Sequence, residues 1–132
     1  ATGASAIYLK KFSDYSEKPS RVISYDIIDT ETYDGIEFIK QDLSSGEGFD
    51  WGQGSKLVIE DSHVQGVLLE VDKYLTKGDI LVVEDLDLLK SKRDDFEDFL
   101  LNAKNEYKDA DEYLNMFGKD RDSTCDAILR VL

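Results

Sequence analysis

Ser62-His63-Val64-Gln65-Gly66-Val67-Leu68-Leu69-Glu70-Val71-Asp72-Lys73-Tyr74-Leu75-Thr76-Lys77-Gly78-Asp79-Ile80-Leu81-Val82-Val83 is the stretch on which the fold class turns. Val64, Val67, Leu68, Val71 and Leu75 recur at helical spacing and fall on one face. Ser62, with Gln65 three residues on, has the pattern of a capping box. Gly78 ends the helix, and a tight Lys77-Gly78-Asp79 turn leads into the continuous apolar run Ile80–Val83, which reads as a buried strand.

Working outward, the N-terminal side reads as strands. Residues 6–12 form a first strand with Ile7 and Leu9 on one face, residues 21–28 a second and residues 36–43 a third. Residues 44–54 carry four glycines between 46 and 54 and are a loop. Residues 56–60 form a short strand around Leu57-Val58-Ile59. On the C-terminal side, Phe96, Phe99, Leu100, Ala103, Tyr107, Ala110, Leu114 and Phe117 keep helical spacing, with Gly118 at the C′ position. Asp94, Asp95, Glu97 and Asp98 crowd the first turn, where the macrodipole favours them. Ser123 caps a short last helix presenting Ile128, Leu129 and Leu132. The expectation is an α+β fold: a mixed β-sheet packed by a capped helix, a long amphipathic helix and a short C-terminal helix, in a single domain over 1–132. The expected core is Ile7, Leu9, Val22, Leu57, Ile59, Leu68, Val71, Leu81, Val83, Phe96, Phe99, Leu100 and Tyr107.

Hydrophobic residues make up 41% of the chain, so 34% charged residues do not make it a disordered one. No apolar run approaches the roughly 20 residues of a membrane helix. Ala1 to Ser5 lack the basic and apolar regions of a signal peptide, so a signal is either absent or removed. Cys125 is the single cysteine and cannot form an internal disulfide, which points to a reducing, cytoplasmic setting.

The net charge is −13. It is unevenly spread: residues 1–23 carry +2, residues 24–54 carry −7 and the rest carry −8. Such a chain repels a phosphate backbone, and the Lys10-Lys11 pair is too small for a nucleic-acid footprint.

No motif carries catalysis. Gly54-Ser55-Lys56 leads into a strand rather than the helix a phosphate loop requires. A calcium loop starting at Asp50 would place Gly52 and Gly54 at ligand positions, where they offer no side-chain oxygen. His63 has no nucleophile at hand, since Ser62 is assigned to the cap. Glu60-Asp61 and Glu84-Asp85-Leu86-Asp87 end two strands, where sites of α/β sheets gather. Were the strands parallel neighbours, these carboxylates would be placed to hold Mg²⁺. With no lysine or phosphate loop in company, they read as solubilising strand ends, and no metal or cofactor is assigned.

Two resemblances attach to the middle of the chain. Ile80-Leu81-Val82-Val83-Glu84-Asp85 resembles the opening strand of a response-regulator receiver, although no phosphoacceptor strand follows it. Ser44-Ser45-Gly46, then Lys77-Gly78-Asp79-Ile80-Leu81-Val82-Val83 and Leu86-Asp87-Leu88-Leu89-Lys90-Ser91, is similar to the serine recombinase catalytic domain. That resemblance implies a shared fold without the chemistry. The family's two catalytic arginines would fall on Leu88 and Ser91, and its nucleophilic serine on Phe12 or Ser13.

Residues 24–54 are the most unusual segment. Eight acids are interleaved with Tyr25, Tyr33, Phe38, Phe49 and Trp51. Aromatic residues anchor interfaces, and rim carboxylates steer basic partners. The expected partner-binding residues are Asp29, Glu31, Tyr33, Asp34, Glu47, Phe49, Asp50 and Trp51. The expected function is an acidic, non-enzymatic protein-binding module: an inhibitor or immunity-type protein that neutralises a basic, nucleic-acid-acting partner such as a nuclease toxin. The alternatives are a metal-dependent enzyme using Glu60, Asp61, Glu84, Asp85 and Asp87, and a catalytically inactive recombinase-like domain. Neither direct nucleic-acid binding nor a membrane is expected.

Overall fold

The computed structural model describes residues 4–15, 21–26, 34–43, 51–52, 54–62, 64–86, 89–110 and 127–132. They fall in two compact units, Ala1–Ser45 and Gly46–Leu132. The fold is α+β.

In the first unit, helix α1 (Ala4–Tyr15) packs against strands β1 (Val22–Asp26) and β2 (Ile36–Lys40), which pair in parallel with Val22 opposite Ile36. The strand expected over 6–12 is therefore helical. Its period-two signal rested on Ile7 and Leu9 alone. The inward residues instead follow a helical stripe: Ala6 and Ser13 are buried, and Leu9 and Lys10 between them are half-buried. An Asp34-Gly35 turn starts β2, with Gly35 at a φ of 86°, where a side chain would be strained. Arg21 grips Glu37 across the two strands with two bonds of 2.5 and 2.9 Å.

The second unit holds a four-stranded mixed sheet in the order β3-β4-β6-β5. Strands β3 (Leu57–Glu60) and β4 (Ile80–Val83) are parallel, joined through helix α2 (Val67–Asp72). Strand β6 (Ala127–Val131) runs antiparallel to both β4 and β5 (Tyr107–Asp109). Strand β4 is buried on both faces, as its unbroken apolar run requires. Leu81 and Val83 join Leu68, Val71 and Leu75 and, from helix α3 (Lys90–Asn102), Phe99, in the main core. Ile80 and Val82 meet Ala110 and Ile128 on the other face.

Three further elements differ from expectation. The capping box is absent: α2 starts from Gly66, at a φ of 84°, and the Ser62 hydroxyl donates to Glu60 instead. The long helix stops at Asn102 because the buried Asp72 carboxylate captures the next turn. It accepts from the backbone N–H of Lys104 (2.6 Å) and of Asn105 (3.3 Å), from the Asn105 amide (3.0 Å) and from the Tyr107 hydroxyl (2.6 Å). Backbone donors that would have continued the helix are thus spent on a tertiary acceptor, and Tyr107 enters β5. The expected C-terminal helix is the strand β6. Leu129 and Val131 face the main core and Ile128 the opposite face, a period of two. Leu114, Phe117 and Ser123 lie outside the described residues.

The core list holds at Val22, Leu68, Val71, Leu81, Val83 and Phe99. Ile7, Leu9, Ile59, Phe96 and Tyr107 are half-buried. Leu57 and Leu100 are exposed, Leu100 by 51%, because the α3 face buried on the core is centred on Lys92 and Phe99.

Candidate functional site

The parallel pairing of β3 and β4 sets Glu60 opposite Val83, so both strands deliver carboxylates at the same end of the sheet. Glu60 and Glu84 are both buried, and the Glu84 N–H donates to the Glu60 carbonyl at 3.1 Å. The Glu60 carboxylate is fully engaged. One oxygen accepts from the Ser62 N–H (2.7 Å) and hydroxyl (2.5 Å), and the other is paired with the Lys92 ammonium. Glu60 is 5% exposed and Lys92 4%, which makes this a buried ion pair.

A lysine therefore does accompany the strand-end acids, contrary to the sequence reading. Its signal was present: Lys92 stands four and seven residues before Phe96 and Phe99, on the apolar face of α3. Beside the pair runs a groove of about 400 Å³ lined by Val64, Gln65, Ser91, Lys92, Asp94, Asp95 and Asp98. The Asp95 carboxylate accepts from the Gly66 N–H at 3.0 Å and ties α3 to the start of α2. Asp85 follows β4 at a φ of 64°, a left-handed conformation uncommon outside glycine. Asp61 is exposed, and Asp87 and His63 lie outside the described residues. Among the described residues, no three histidine, cysteine, aspartate or glutamate side chains come together in a metal-binding group.

Of the expected partner-binding residues, Asp34 and Trp51 are described. Asp34 is exposed in the turn before β2. Trp51 is half-buried: its indole packs on the main core of the second unit and stacks on Tyr74, with ring centroids 5.0 Å apart and planes 12° from parallel. Tyr74 remains 40% exposed, so the pair has a wet side. Asp29, Glu31, Tyr33, Glu47, Phe49 and Asp50 lie outside the described residues. Tyr74 was missed by the sequence reading because it stands outside the helical stripe of α2.

Two carboxylates further along the second unit are structural. Burial alone would raise the Asp79 carboxyl, but the N–H groups of Thr76 and Lys56 and the Lys56 ammonium outweigh it and hold it below its ordinary value. The Tyr107 hydroxyl is pushed up, first by burial and then by its bond to the Asp72 carboxylate.

The positions implied by the recombinase resemblance differ in setting from what it implies. Ser13 is buried within α1 rather than following a strand, Ser91 is exposed in the first turn of α3, and Leu88 lies outside the described residues. No helix among the described residues is long and apolar enough to cross a membrane. Comparison with family models, with curated proteins and with solved structures finds no match to this chain.

Proposed function

We propose that the protein is an acidic binding module of the cytoplasm that docks on a basic, nucleic-acid-acting protein and neutralises it, as an inhibitor or immunity protein does. The observation that carries this reading is the charge, −13 in all and −7 within residues 24–54. Proteins that act on nucleic acids are basic because their substrates are anionic, and an acidic surface opposing them gains association rate and register. The half-exposed Trp51–Tyr74 stack supports it, since a rigid aromatic pair with one wet side suits burial in an interface.

The test starts with affinity capture from the source cell, followed by kinetics with the purified partner at two salt concentrations. Association is expected to slow in high salt and on Asp34→Asn, while Tyr74→Ala speeds dissociation. Association indifferent to both salt and acidic substitution refutes the reading. A metal-dependent enzyme is the second reading, favoured by the parallel β3 and β4 bringing Glu60 and Glu84 to the same end of the sheet. A Mg²⁺-dependent stabilisation that is lost in Glu84→Gln would support it.

A further inference from the structure

No further inference is drawn: the strongest candidate, the groove of about 400 Å³ beside the buried Glu60–Lys92 pair, belongs to the site already described, and its Lys92 is spent on Glu60 while its carboxylates Asp94, Asp95 and Asp98 already accept from Lys90, Gly66 and Asn102, so nothing in it points to a ligand.

Discussion

Breaking the Glu60–Lys92 pair should destabilise the second unit far more than any surface ion pair would. Both groups are buried, so removing one partner leaves the other charged and without its counter-charge. Losses of this kind run to about 3–5 kcal/mol. Lys92→Met keeps an unbranched apolar stem in the buried position, and the Ser62 N–H and hydroxyl still bond Glu60, so its cost falls at the low end, about 3 kcal/mol. Glu60→Gln keeps an acceptor for Ser62 but strands the ammonium, at about 3–5 kcal/mol. The double variant removes both charges and should cost much less than the sum, with a coupling of about 2–3 kcal/mol. Trp51 is the only tryptophan and packs in this unit's core, so its fluorescence during urea unfolding reports the unit directly. With a slope of about 1–2 kcal/mol per molar urea, each single variant should lower the midpoint by roughly 2 M. Single losses under about 1 kcal/mol that add without coupling would mean the pair is solvated, and the argument would be wrong.

Three further outcomes follow from named contacts. Asp72→Ala leaves the donors of Lys104, Asn105 and Tyr107 without their acceptor and should cost about 2–4 kcal/mol, with faster hydrogen exchange at the amides of 104 and 105. Asp79 has its carboxyl held low, so its contribution is complete above the unfolded value and is lost as pH falls through the folded one. Between about pH 5 and pH 2, the wild type should therefore lose more urea stability than Asp79→Asn. Leu100→Ala should shift stability by no more than about 1 kcal/mol, since the side chain is half in water, and a loss of several kcal/mol would contradict its placement.

What the sequence discloses depends on how many residues vote. Strand β4 was legible because four adjacent apolar residues admit burial on two faces and little else. The pairing of α2 with that strand was legible from Leu68, Val71 and Leu75, all in the core. Residues 6–12 and 127–131 were misread because two or three apolar positions fit either period. The helix boundary at Asn102 was invisible for a different reason. The residue that stops α3 is Asp72, some thirty positions earlier, and no local pattern encodes an acceptor that arrives from another element.

The same asymmetry governs the functional surface. Composition shows that carboxylates exceed basic groups, but not which carboxylates are spent inside. Glu60, Asp72 and Asp79 are all buried, and each holds backbone N–H groups of a neighbouring turn in place. These acids therefore act as structural acceptors and contribute little to the field a partner meets, because screening by their own donors and by burial confines them. Asp94, Glu97 and Asp98 are exposed on α3, where Lys90 offsets Asp94, so Glu97 and Asp98 supply most of the field that extends for about a Debye length. Subtracting the buried acids from the total moves attention from strand ends, where α/β proteins commonly work, to exposed surfaces such as that of α3. Whether a carboxylate steers a partner is decided by what its oxygens already accept: Glu60, Asp72 and Asp79 are spent on donors inside the fold, whereas Asp94 and Asp98 accept from Lys90 and Asn102 at the exposed surface of α3.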